Sequence, residues 1–183
     1  NLIKFITKIG FNLVDTNIVF DKPMLVRKKV PNNKCSLRFA LPEDESYVVE
    51  LARNNFVYSR FHLDNDILLP VANKIKAEWV RNYFAGLRGY KMVISLVNDV
   101  IVGFLLLLKS GKNLIIDLIA VDNRHQRKGI ASDMIAYVES HLDCFSSIRV
   151  GTQLANVPSI RLYEKIGFRA RMSNYVFHYH KIY

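Results

Sequence analysis

An apolar run, a short basic turn and an amphipathic stretch follow one another between Leu114 and Leu142, and this succession constrains the fold more than any other part of the chain. Leu114 to Val121 reads as a buried strand carrying one acid, Asp117. From about Gly129 onward, Ile130, Met134, Val138 and His141/Leu142 recur at spacings of three and four, which predicts a helix with one buried face. Between strand and helix lies Gln126-Arg127-Lys128-Gly129-Ile130-Ala131. The first N–H groups of a helix have no intrahelical acceptor and sit at the positive end of its dipole. Gly129 and Ala131 let a ligand approach that backbone closely, while Arg127 and Lys128 add full charge. The turn is suited to an anion, a diphosphate above all. Without a ligand the same glycine would serve only a tight turn and close packing.

The rest of the composition narrows the class. A chain of 183 residues can enclose one full core, and 50% hydrophobic residues exclude a disordered protein. The longest apolar run, Val100 to Leu108, is well short of the roughly 20 residues a membrane helix needs, and Gly103 interrupts it, so a buried strand is predicted. Residues 1–10 are amphipathic and lack the small-residue cleavage site of a signal peptide. The chain does not start with Met, which reads as a trimmed or partial chain. Cys35 and Cys144 show no CxxC or Cys/His ligand spacing, and two reduced thiols in a cytoplasmic protein are expected. The net charge of +10 favours anionic partners. Its tight clusters are Arg27-Lys28-Lys29 and Arg124 to Lys128, and no basic run is interleaved with aromatics as in single-strand binders. Charge thus supports an anionic cofactor without by itself excluding RNA. No nucleic acid, membrane or metal is expected as a partner, and a homodimer is left open.

Along the chain, Ile3 to Ile9 predict a short helix ending at Gly10, followed by a strand-like stretch from Leu13 to Phe20. Val30-Pro31-Asn32-Asn33 is the expected linker, dividing residues 1–33 from a domain of residues 34–183. Lys34 to Ala40 reads as a strand. Pro42-Glu-Asp-Glu45 opens a helix with Tyr47, Val48 and Leu51 inward. Residues 55–69 form an irregular loop rich in aromatic and hydrogen-bonding groups, serving either the core or a substrate. Val71, Ile75, Trp79 and Tyr83 mark a helix from about Pro70 to Gly86. Two strands, Lys91 to Val97 and Val100 to Leu108, meet at an Asn98-Asp99 hairpin signal. After the central unit come a strand at Ser147 to Gly151, a helix from about Val157 to Ile166 closed by Gly167, and two strands, Phe168 to Met172 and Tyr175 to Ile182. His178 and His180 share one strand face but have no evident third metal ligand, so they are read as structural.

Gln126-x-x-Gly129-x-Ala131 resembles motif A of the GNAT superfamily of acyl-CoA N-acyltransferases, and Asn156, Tyr163 and Gly167-Phe168 resemble its motif B, with Asn and Tyr seven residues apart as in the family. The order of elements over residues 34–183 is also similar. The resemblance implies a mixed α+β GNAT fold, in which a mostly antiparallel, twisted sheet of about seven strands is flanked by four helices. It further implies acetyl-CoA as cofactor, its diphosphate held by Gln126, Arg127, Lys128, Gly129, Ile130 and Ala131. The main chain at Ile119, Ala120 and Val121 would pair with the pantetheine arm and polarise the thioester carbonyl. Asn156 would touch the cofactor, and Tyr163 would protonate the leaving thiolate; without a ligand, Asn156 caps a helix and Tyr163 packs. An acyl acceptor must be a neutral amine, so a base is needed. Asp117, expected to share a sheet face with Ile119, is one candidate, against a structural hydrogen-bonded Asp. His62 is the other.

Further pieces, Gly10-Phe-x-Leu-Val-Asp-Thr16, Ser59-Arg-Phe-His-Leu-Asp64 and Thr152-Gln153-x-x-Asn156, resemble the dTDP-fucosamine (nucleotide-aminosugar) acetyltransferase group. That resemblance implies acetyl transfer to a dTDP-linked aminodeoxysugar, Arg60 and His62 at the substrate, and residues 1–33 as the remnant of an N-terminal half-domain. Two alternatives remain: a GNAT acting on a peptide N-terminus or small amine, and a non-catalytic basic binding protein on the same fold. Gly151 stands where relatives that acetylate protein α-amines carry Glu, which counts against the peptide reading.

Overall fold

A computed structural model describes residues 2–24 and 35–181. The linker at Val30 to Asn33 and the cluster Arg27-Lys28-Lys29 lie outside those residues. The elements are α1 (Leu2–Lys8), β1 (Phe11–Pro23), β2 (Ser36–Phe39), α2 (Glu45–Asn54), α3 (Leu69–Phe84), β3 (Lys91–Val97), β4 (Val100–Ser110), β5 (Asn113–Val121), α4 (Ile130–His141), β6 (Ser147–Gln153), α5 (Val157–Lys165) and β7 (Arg169–Tyr179). The strands form a single sheet in the order β2-β3-β4-β5-β6-β1-β7. Only β5 and β6 pair in parallel. The mixed, mostly antiparallel seven-stranded sheet is as expected, and α1 is a fifth helix beside the four anticipated.

The seven strands are assembled differently from the sequence reading. Residues 169–179 make one continuous strand with no break at Ser173-Asn174, because β1 lies alongside and pairs from Phe11↔Tyr179 to Asp21↔Arg169. The seventh strand is β1 itself, inserted between β6 and β7. Residues 11–23 therefore share one sheet with the segment that begins at residue 34. The Asn98-Asp99 hairpin has positive φ at both residues (50° and 61°), the twist that suits two-residue antiparallel loops.

Alternation along the strands builds two apolar layers. Val93, Leu105 and Leu107 pack beneath α4 and α5 with Met134, Val138 and Tyr163. Met92, Ile94, Phe104 and Leu106 face α2 and α3. Val48 and Leu51 face inward and Trp79 and Tyr83 pack on the core as predicted, but the edges of the two faces differ. Tyr47 and Val71 are exposed, whereas Val49, Ala52, Ala72 and Ala77 are buried. Small side chains let α2 and α3 close on each other, so contact between the helices, not the largest residues, sets the inward face. Among the described residues no helix is long and apolar enough to cross a membrane.

Two irregularities prepare the site. β5 carries a bulge at Asp117, where the register with β4 passes from Leu107↔Ile116 to Leu106↔Leu118. A bulge inverts the alternation. Leu114, Ile116, Ile119 and Val121 pack toward α4, but Leu118 and Ala120 face α2 and α3. In addition, β5 and β6 pair only as far as Ile116↔Val150, although β5 runs on to Val121 and β6 to Gln153. Beyond the bulge the two strands part and leave a cleft between their C-terminal ends.

Candidate active site

The predicted anion turn lies at the mouth of this cleft. Gly129 precedes α4 with φ of 90°, and Arg127 also has positive φ, 61°. Left-handed residues alternating in a turn curl the backbone into a concavity lined with N–H groups. Among the described residues, none of the N–H groups from Arg127 to Ala131 finds a backbone or side-chain acceptor. Gln126 holds the turn to β5, its Nε2 donating to Val121 O (3.0 Å) and Asn123 Oδ1 (2.7 Å). Gln126, Arg127, Lys128 and Gly129 are open to solvent, while Ile130 anchors the helix in the core. Ile119, Ala120 and Val121 lie on the stretch of β5 that has no β6 partner. Unclaimed donors, a backbone free of Cβ at Gly129 and an unpaired strand edge together fit a diphosphate joined to an extended arm.

Asn156 caps α5 and Tyr163 lies within it, in the helix that follows β6. Asn156 Oδ1 accepts from Ser159 N–H (3.3 Å), the capping role. Tyr163 is 2% exposed, its ring between Phe20 (5.9 Å between centroids) and Phe168 (5.6 Å). Burial pushes its phenol well above the ordinary range. It therefore keeps its proton at neutral pH. Gly151, where the α-amine acetylating relatives carry Glu, has its side-chain space taken by the Asn17 amide, 3.2 Å from a built Cβ.

The acceptor-side candidates gather on the α2–α3 face. Asp117 does not share a face with Ile119: the bulge carries Ile119 to the α4 side, and Asp117 lies on the α2–α3 side. There it accepts two hydrogen bonds of 2.7 Å from Arg88 Nε and Nη2. The Arg88 guanidinium lies 4.2 Å from the Trp79 ring centre. His62 has both nitrogens engaged: Ser59 Oγ lies 2.6 Å from Nδ1 and Asn73 Oδ1 lies 2.9 Å from Nε2. Asn73 Oδ1 can only accept, so Nε2 carries the hydrogen and Nδ1 accepts from Ser59. Burial, aided by nearby Lys76, lowers the His62 pKa and keeps the ring neutral. Arg60 is exposed and stacks over Phe61 at 4.9 Å.

Lys76, which the sequence reading passed over, stands at the centre of this group. It is 6% exposed, and its Nζ sits 4.2, 5.3 and 5.6 Å from the ring centres of Trp79, Phe56 and Phe61. Burial lowers its pKa from 10.5 to about 8; Asp117 opposes the shift, and Arg60 and Arg88 add to it. A lysine at helix spacing normally reads as a solvated charge, and no local signal distinguishes this one. Only the rings closing from the 55–68 loop do so.

A parallel strand pair that stops short beside a left-handed glycine turn is a scaffold of the N-acetyltransferase kind. The pattern of the acetyltransferase (GNAT) family matches residues 56–168, and the chain belongs to that family. Spore coat polysaccharide biosynthesis protein SpsD of Bacillus subtilis (strain 168) is 35% identical over 139 residues, 75% of this chain and 48% of its own length. The chain thus spans about half the length of this curated relative. A GCN5-related N-acetyltransferase from Sphaerobacter thermophilus superposes with a TM-score of 0.67 at 15% identity, over 97% of this chain and 55% of that one. A functionally unknown conserved protein from Staphylococcus epidermidis ATCC 12228 gives 0.72 at 17%, over 96% and 65%. At these identities the two structures share the fold.

Proposed function

We propose that the chain transfers an acetyl group from acetyl-CoA to a primary amine of a cytoplasmic small molecule, most specifically the amino group of a dTDP-linked aminodeoxysugar. The observation that carries the transferase reading is the cleft between β5 and β6, which opens beside the unclaimed N–H groups of residues 127–131. The sugar-nucleotide reading is supported by the identity to a protein of polysaccharide biosynthesis. When bound, acetyl-CoA supplies the acetyl group as a thioester. Arg127, Lys128 and the main chain from Gly129 to Ala131 hold the diphosphate. The free edge of β5 from Ile119 to Val121 aligns the arm and directs N–H groups at the carbonyl.

Tyr163 would offer its phenolic hydrogen to the sulfur of the bound carrier. Its raised pKa would make full proton transfer to a thiolate unfavourable, so its part would be to offer a hydrogen bond rather than to give up the proton. The proton acceptor is Lys76. Asp117 is neutralised by Arg88, and His62 has no nitrogen free, whereas Lys76 has a neutral fraction that grows through about pH 8. Asp117 is retained as the charge that tunes it. Arg60, exposed at the rim, meets the substrate's phosphates. The direct test is acetyl-CoA consumption against dTDP- and UDP-aminosugars, peptides and polyamines. Turnover confined to peptides or polyamines would refute the sugar-nucleotide assignment.

Two variants probe the cofactor side. Tyr163→Phe removes one oxygen and keeps the packing, so kcat should fall on the order of 10²-fold with an unchanged melting temperature. Unchanged kcat in steady-state assays would remove Tyr163 from the chemistry. Gly129→Val places a branched side chain at φ of 90° and over the donors. Coenzyme A binding by calorimetry should weaken more than tenfold, an expectation drawn from the donors' role in anion binding.

A further inference from the structure

The third partner of the His178-x-His180 pair comes from the distant 55–68 loop. Asp64 is 5% exposed, and its Oδ2 lies 2.5 Å from His178 Nδ1 and 2.8 Å from His180 Nε2. Its other oxygen accepts the Asp66 N–H at 3.0 Å, which fixes the carboxylate and leaves Oδ2 aimed between the imidazoles. The three ligand atoms lie within 4.8 Å of one another. Phe61 flanks the His178 ring at 6.1 Å, giving the group an apolar wall. Asp66 adds a second carboxylate, its Oδ2 4.0 Å from His180 Nε2. The side chain of His180 is 33% exposed, so one side of the cluster opens to solvent.

We infer that Asp64, His178 and His180 bind a divalent zinc-type cation, with the fourth position filled by water or Asp66. Two imidazole nitrogens and one carboxylate oxygen are the donor set of three-ligand zinc sites. Metal–ligand bonds of about 2.0–2.2 Å in tetrahedral geometry separate ligand atoms by about 3.4 Å, so Asp64 Oδ2 need draw back from each imidazole nitrogen by less than about 1 Å. His178 lies in β7 and His180 one residue past its end, two positions apart, so the end of the strand brings both rings to one carboxylate. The cation would clasp the 55–68 loop to the end of β7. That loop carries Arg60 and His62, so metal occupancy would also set how the acceptor side is held. Binding itself stands apart from the acetyltransferase reading.

Protein without a polyhistidine tag, stripped with chelator and titrated with zinc chloride by calorimetry, should take up one equivalent and melt at a higher temperature. Cobalt(II) should give the visible absorption of a tetrahedral centre, displaced by zinc. His180→Ala, at the open end of the strand, and Asp64→Asn should each weaken binding more than tenfold, with the far-ultraviolet circular dichroism of His180→Ala unchanged. No stoichiometric uptake by the wild-type protein, or equal affinity in the His180→Ala variant, would overturn the assignment.

Discussion

Lys76→Met is expected to raise the melting temperature at pH 7 while it lowers turnover. At pH 7 this lysine is charged in the unfolded chain and mostly charged in the fold, where it lies among three rings with no acid in hydrogen-bond contact among the described residues. A pKa lowered from 10.5 to about 8 corresponds to roughly 3 kcal/mol against folding at pH 7. The sign follows from linkage. Between pH 8 and 10.5 the unfolded state binds the extra proton, so the cost is full below about pH 8, shrinks as the pH rises through that window and is gone above 10.5. Met has similar length and no charge, so most of that penalty should disappear, an increase on the order of 5–10 °C for a domain of this size. The difference in stability between wild type and variant should shrink as the pH climbs from 8 to 10.5. Thermal melts across that range measure it. The wild-type kcat should rise through about pH 8, and that rise should vanish in the variant. A variant no more stable than wild type would mean that Lys76 is solvated; a more stable variant with full activity would leave the lysine without a chemical part.

Arg88→Ala is expected to destabilise the fold by roughly 3 kcal/mol, because it strands a mostly buried carboxylate at the β5 bulge. The two 2.7 Å hydrogen bonds from Arg88 are the described partners of Asp117, whose side chain is only 10% exposed. Combining Arg88→Ala with Asp117→Asn should restore much of the loss, since the uncompensated charge goes with it. The single variant has a second signature. Arg88 lowers the Lys76 pKa and Asp117 raises it, so without Arg88 the activity profile should move to higher pH. Urea titration measures the first effect, and kcat against pH measures the second. If the double variant is as unstable as the single one, Arg88 contributes through its stacking on Trp79 rather than through the ion pair.

How far the site could be read from the chain alone depended on whether its parts are neighbours in sequence. The turn at residues 126–131 was legible because its glycine, its charges and the helix that follows are contiguous. The Asn98-Asp99 hairpin was legible for the same reason. That Asp117 and Ile119 lie on opposite sheet faces is not legible in the chain, because strict alternation puts them together and a bulge depends on the pairing partner, not on the residue. The inward faces of α2 and α3 were misjudged at Tyr47 and Val71 because the two helices, packed together, chose their small residues instead. The single long β7 could not be foreseen without β1 beside it.

The sequence by itself determined the strand–turn–helix and most of the elements that surround it. These follow from hydrogen bonding, dihedral freedom and apolar spacing within a few residues. Tertiary structure alone decided where β5 and β6 part, which acid Arg88 neutralises, that Lys76 is enclosed by rings, and that Asp64 meets two histidines 114 and 116 residues away. Each of those depends on burial and on partners brought together by chain closure, and a side chain's charge state and reach are set by what surrounds it rather than by its neighbours along the chain.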